Sequence, residues 1–181
     1  MTTNNLVRCL GTAAALVLGL ASVAGAADPK VEIGTTMSTV TVGLGDNEGT
    51  IVGIPAGGFG LLNSGVYASI FVGPFFAVEP QVGLVWVSED GDSHHLANVT
   101  GQVDFFPMGS ARTSPYVFGA VGILDTSGSD TNPKTYAAGA GYRFAITDSL
   151  AFRVDGRYVH FTEGGGNAVM FGVSIGGVFG R

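Results

Sequence analysis

The sequence predicts an all-β protein: an eight-stranded antiparallel up-and-down transmembrane β-barrel, preceded by a cleaved signal peptide. Three observations predict it. Apolar and polar residues alternate with a period of two along successive segments. No apolar 3.6-residue period persists long enough for a helix of several turns. The composition, finally, is unlike that of a soluble domain: charged residues are 12% of the 181 residues and glycines number 30, against roughly 25% and ~7% on average. A barrel reconciles these, because alternate residues face lipid and a narrow lumen favours small side chains.

Residues 1–26 read as the signal peptide. Met1–Arg8 is polar with one positive charge, Cys9–Leu20 is apolar, and Ala24-Gly25-Ala26 supplies the small residues that a signal peptidase reads. The alternative, an uncleaved anchor, is disfavoured because small residues fill the second half and no basic stop follows. Cys9 sits too early for a lipoprotein cysteine. The mature domain is then 27–181, without cysteine, and so without disulfide or thiol chemistry. It keeps all 14 acidic residues and loses only Arg8 among the eight basic ones, for a formal net charge of −7. Nucleic acid is not expected as a partner, since phosphates need a basic footprint.

Eight strands follow, joined alternately by long polar loops and short turns. The first spans Val31–Leu44, its alternation blurred by threonines. A glycine-rich loop through Asp46, Glu48 and Pro55 leads to a second near Ser64–Val72, and Gly73-Pro74 turns the chain. The third, Phe76–Val87, sets Glu79, Gln81 and Gly83 against an apolar face; Pro80 has no N–H to donate, so a bulge or a local gap is expected there. Ser88–His95 reads as an acidic loop. The fourth, Leu96–Phe106, alternates Asn98, Thr100, Gln102 and Asp104 against Val99, Val103 and Phe105. Pro107–Ser114 is a turn, and Tyr116–Leu124 the fifth strand. The sixth, Thr135–Ile146, sets Gly139, Gly141 and Arg143 against Ala138, Ala140, Tyr142 and Phe144. Thr147–Ser149 turns into the seventh, Leu150–Phe161, with Arg153, Asp155 and Arg157 on one face and Phe152, Val154 and Tyr158 on the other. The eighth places Val169, Phe171, Val173, Ile175 and Phe179 on one face. Closure removes the unpaired edges that so many apolar strands would expose.

In this arrangement Glu79, Asp104, Arg143, Arg153, Asp155 and Arg157 point inward as a lumen ion-pair network of three acids and three bases. An unpaired charge in a closed interior would be costly, so the expectation is a plug of ion pairs and not a pore. His160 and Thr162 share the outward face with Tyr158 near the outer rim and are the candidates for chemistry. Asp90, Asp92, His94 and His95 carry oxygen and imidazole donors on one loop, without diagnostic spacing for a metal. No cofactor is expected. The apolar part of the first loop (Ile51, Val52, Ile54, Phe59, Leu61, Leu62) either extends the two flanking strands or forms a contact surface for lipid or a partner.

Phe76-Ala77-Val78-Glu79-Pro80-Gln81-Val82-Gly83, Pro115-Tyr116-Val117-Phe118-Gly119 and Ala138-Gly139-Ala140-Gly141-Tyr142-Arg143 resemble segments of small outer-membrane β-barrel proteins of the OmpA-like transmembrane type. The resemblance implies a monomeric barrel in the outer membrane, in contact with lipid or lipopolysaccharide, with a structural, adhesive or surface-interaction role and a surface or host ligand met through its loops. It also implies a terminal aromatic residue, where this chain ends Phe179-Gly180-Arg181. Two alternatives remain at this point. The first is a lipid A-modifying outer-membrane hydrolase, whose histidine–serine segment His160 and Thr162 resemble, although the hydroxyl here is a threonine and the eighth strand offers no carboxylate. The second is a soluble periplasmic barrel that binds an apolar ligand, with inside and outside exchanged.

Overall fold

A computed structural model describes residues 30–44, 47–53, 65–89, 92–109, 113–126, 132–162 and 167–180; the side chains of 38–44, 47–53, 84–89, 92–96 and 126 lie outside that description, as does the whole predicted leader. Nine strand segments make one antiparallel sheet: β1 (Val31–Leu44), β2 (Asn47–Gly53), β3 (Gly65–Val72), β4 (Phe76–Glu89), β5 (Asp92–Phe105), β6 (Ser114–Thr126), β7 (Lys134–Thr147), β8 (Leu150–Phe161) and β9 (Asn167–Phe179). β2 and β3 pair with the upper and lower halves of β1, so they are two pieces of one stave. β1 also pairs with β9 along Val31–Gly43, which closes the sheet into an eight-stranded barrel. No helix occurs among the described residues.

The register fixes the size of the barrel. Following directly opposed residues from Val31 through Ile70, Val78, Val103, Gly119, Ala138, Tyr158 and Val169 returns to β1 at Thr41, ten residues from the start. With ~3.3 Å per residue along a strand and ~4.8 Å between strands, that displacement tilts the strands by about 40° and sets a backbone radius of about 8 Å. A tube this narrow is filled by its own side chains.

Burial then alternates as the sequence pattern requires. The outward column of β7 from Tyr136 to Ile146 is exposed throughout; at this tilt it rises about 25 Å, the height of a hydrocarbon-facing band. Exposed Val154, Val169, Phe171, Val173 and Ile175 continue that band on β8 and β9. An aromatic girdle rims the end with the short turns: Phe76 lies 5.2 Å from Phe105, Tyr142 lies 4.8 Å from Phe144, and Phe144 lies 6.2 Å from Phe152 between ring centres. Inside, Phe71, Ala77, Phe106, Tyr116 and Phe118 pack together near that same end. Val159, Ala168 and Met170 form a second apolar cluster towards the loop end.

Local chemistry accounts for the irregularities. Gly73 turns the chain at a φ of 74°, a left-handed conformation that a side chain disfavours. On the β3 side of Pro80 the ladder lapses: Tyr67 opposes Gln81 and Ile70 opposes Val78, but no pairs form between them. The register is the same above and below, so the proline leaves a gap and no bulge. Two segments read as loops are strand instead. β2 occupies the first part of the predicted first loop, so Ile51 and Val52 extend the wall, while Ile54, Phe59, Leu61 and Leu62 lie outside the described residues. The predicted acidic loop Ser88–His95 is a hairpin end in which Glu89 still opposes Asp92. Backbone pairing overrides the polar composition in both places.

Candidate functional site

The inward column of β8 reads Ala151, Arg153, Asp155, Arg157 and Val159, all buried, and it organises the interior. Arg153 Nη1 lies 2.6 Å from Glu79 Oε2 and 3.7 Å from Asp104 Oδ2. Arg153 Nε is 2.8 Å from Glu32 Oε1, an ionic contact without hydrogen-bond alignment. Its Nη2 donates to Ser69 Oγ at 3.0 Å, and its guanidinium lies over the Tyr67 and Tyr116 rings at 5.0 and 5.8 Å. Arg143 Nε donates to Glu32 Oε2 at 2.7 Å and covers Phe71. Arg157 grips Asp155 Oδ1 through Nε and Nη2 at 3.0 and 2.7 Å, over the Phe118 ring at 4.7 Å.

Neutral side chains complete this network. The Tyr67 hydroxyl donates to Glu32 at 2.8 Å, Ser69 and Gln81 each donate to Glu79 at 2.7 Å, and Gln102 donates to Asp104 Oδ1 at 2.7 Å. Inward glycines make room for the aromatics that line it. Tyr116 directly opposes Gly141, and a Cβ on Gly141 would sit 2.6 Å from the Tyr116 ring. The glycine richness of β7 is therefore a packing requirement.

All six inward residues singled out from the sequence are buried, and Arg153 meets two of them, Glu79 and Asp104. One central residue is missing from that set. Glu32 is fully buried and bridges Arg143 and Arg153. Its signal was its parity: it lies between Val31 and Ile33, opposite in sense to both, but the threonines that follow blur the alternation. With Glu32 the described interior holds four carboxylates against three guanidiniums, so the three-to-three balance is corrected to an excess of one acid. The surplus falls on Asp104, whose Oδ2 is buried without a hydrogen-bond donor. Asp104→Asn removes that charge and keeps the acceptor for Gln102. It is expected to change stability by less than about 1 kcal/mol, or to raise it, in urea unfolding from lipid. A loss of roughly 3 kcal/mol or more would mean that the Asp104 charge is an essential half of a pair.

Two small cavities lie among the described residues. One of about 20 Å³ lies near Thr100, Thr135, Arg157 and Met170, and one of about 10 Å³ lies near Thr36, Tyr67 and Gln81. Each has room for about one water. The described interior is ionic and packed with side chains, which does not fit the apolar ligand cavity of a soluble barrel with exchanged faces.

At the outer rim His160 and Thr162 are exposed, each with a structural partner. His160 Nδ1 lies 2.9 Å from Asn167 Oδ1 across the β8–β9 ladder, and Thr162 Oγ1 donates to the Lys134 carbonyl at 3.2 Å. No carboxylate among the described residues hydrogen-bonds His160, so the charged orienting group of a hydrolytic triad is absent from this set. Glu163 and Asp90 lie outside the described residues, as do the side chains of Asp92, His94 and His95.

No protein-family model matches the sequence, and no curated protein does. Solved structures do match. The chain is similar to Neisserial surface protein A (NspA) at 13% identity and a TM-score of 0.50, covering 83% of this chain and 97% of that one. It is similar to the N-terminal β-barrel domain of Pseudomonas aeruginosa OprF at 14% identity and a TM-score of 0.47, covering 81% and 96%. The attachment invasion locus protein Ail of Yersinia pestis matches at 14% identity and a TM-score of 0.43, covering 84% and 99%. At 13% identity the likeness to NspA is one of fold: the chain has the fold of a small eight-stranded outer-membrane β-barrel.

Proposed function

We propose that the protein is a non-enzymatic barrel of the outer membrane of a Gram-negative-type bacterium, exported by a cleaved leader at 1–26 and acting at the cell surface as a monomer. Its ion-pair network plugs the lumen, and its loops carry a structural, adhesive or surface-interaction role towards lipid, lipopolysaccharide or a surface ligand. One observation carries this reading: a continuous exposed apolar band surrounds an interior that is ionic, aromatic and filled. An apolar exterior of this extent is satisfied by lipid and not by water. An interior that side chains occupy among the described residues favours a rigid anchor over a channel.

The test is electrophoretic. A closed barrel resists SDS until boiled, so unheated and heated samples are expected to migrate differently, and cell fractionation should place the protein with outer membranes. Release by osmotic shock with a single, heat-independent mobility would overturn the proposal.

A further inference from the structure

Beyond the ion pairs of the lumen, one outward cluster joins charge to aromatic and apolar surface. Among the described residues, Glu48, Glu89, Asp92 and Asp125 belong to the loop end of the barrel, and Lys134 is the single lysine or arginine there. The other described lysines and arginines stand inside the barrel (Arg143, Arg153 and Arg157) or at the turn end (Lys30). Lys134 opens β7 on the outward face, exposed. Tyr136 follows on the same face, and Tyr158 stands on the neighbouring strand; their rings are 50% and 52% exposed. His160 directly opposes Tyr136, and Asn167 opposes His160, so three strands contribute to one polar rim.

Directly beneath this rim the wall recedes. Ala138 opposes Gly119 on one side and Tyr158 on the other, and Ala140 opposes Gly156. Nothing lies within 4 Å of the space a Cβ would take on Gly119. Alone, that depression would be a patch of small residues. Here it ends in an ammonium group and two phenols at headgroup height, the chemical order of a lipid: apolar chain below, anionic group above.

The geometry points to a binding site for an anionic, phosphate-bearing lipid of the outer leaflet. Its phosphate meets Lys134 and the Tyr136 and Tyr158 hydroxyls, and an acyl chain lies over Ala138 and Ala140. Elsewhere on the loop end the same phosphate would meet carboxylates, so charge selects this face. His160, held by Asn167, walls the site beside Tyr136. Ammonium and phenol donors suit phosphate oxygens because charge-assisted hydrogen bonds are the strong ones.

The assignment rests on the outer-membrane reading, and the experiment keeps the two apart. The full barrel is refolded into nanodiscs of phosphatidylcholine doped with diphosphoryl lipid A, extracted, and weighed by native mass spectrometry for retained lipid A. Wild type is expected to retain lipid A over phosphatidylcholine. Lys134→Ala should lower retention about fivefold, the effect of one lysine near an anionic surface, while Lys134→Arg should keep it. Lys30→Ala, which removes the same charge at the turn end, should match wild type. Equal retention by Lys134→Ala and wild type would overturn the site, as would an equal loss in Lys30→Ala. Displacement by inorganic phosphate as effective as by lipid A would overturn a lipid as the ligand. A protein that fails to enter the nanodiscs at all refutes the membrane reading itself.

Discussion

Arg153→Ala is expected to destabilise the refolded barrel by about 3–5 kcal/mol, the range for removing one partner of a buried ion pair. The guanidinium lies between three carboxylates, those of Glu32, Glu79 and Asp104, at 2.8, 2.6 and 3.7 Å, and is 2% exposed. Deleting it leaves those groups facing one another, with Arg143 still paired to Glu32 but Glu79 and Asp104 left to neutral donors and the more distant charge of Arg157. It also removes the cation from the faces of Tyr67 and Tyr116. Urea titration in lipid, followed by the unheated-gel mobility, reads the loss directly.

The mechanism can be separated from simple loss of volume. Arg153→Met preserves much of the side-chain bulk and should cost nearly as much as alanine if stranded charge dominates. Adding Glu79→Gln to Arg153→Met should then recover part of the loss, because replacing both members of a buried pair is often close to neutral. Were the ionic face wet, as in a soluble barrel, Arg153→Ala would cost at most about 1 kcal/mol. A near-neutral result would therefore place water in the interior.

How far the sequence discloses this arrangement depends on contrast between the two faces of a strand. On β8 charge alternates with Phe152, Val154 and Tyr158, so both faces and the inward placement of Arg153, Asp155 and Arg157 can be read directly. On β6 both faces are apolar: Tyr116 and Phe118 are buried while Val117 and Val121 are exposed, and no polarity pattern distinguishes lumen from lipid. The aromatic lining around the ion pairs was hidden for that reason. Its trace lies on the partner strand, where Gly139 and Gly141 mark the positions that the rings overhang. Glu32 was hidden by threonines, which suit either face. At the loop end, composition misled: Asp92, Ser93 and the two histidines read as loop, yet cross-strand pairing holds their backbone in β5. The outer rim was legible as an interfacial histidine beside a tyrosine. Its grouping with Lys134 and Tyr136 depends on register, which the sequence does not print.

The second large effect tests the outward face. Val154 and Val173 are exposed, directly opposed across β8 and β9, and sit near the middle of the apolar band. An arginine on the lipid face at mid-membrane costs roughly 2–4 kcal/mol, falling to about 0–1 near the interfaces. Val154→Arg and Val173→Arg should each destabilise the barrel in phosphatidylcholine bilayers by that larger amount. The double variant should lose more than the sum, because the two cations face one another across the ladder. Thr147→Arg, exposed at the turn end, carries the same charge to the interface and should lie within about 1 kcal/mol of wild type. Depth is what separates the outcomes, since exposure to solvent alone would make all three substitutions worth no more than about 0.5 kcal/mol. Equal and small effects at Val154, Val173 and Thr147 would mean that this surface meets water, and the barrel would not be a membrane protein.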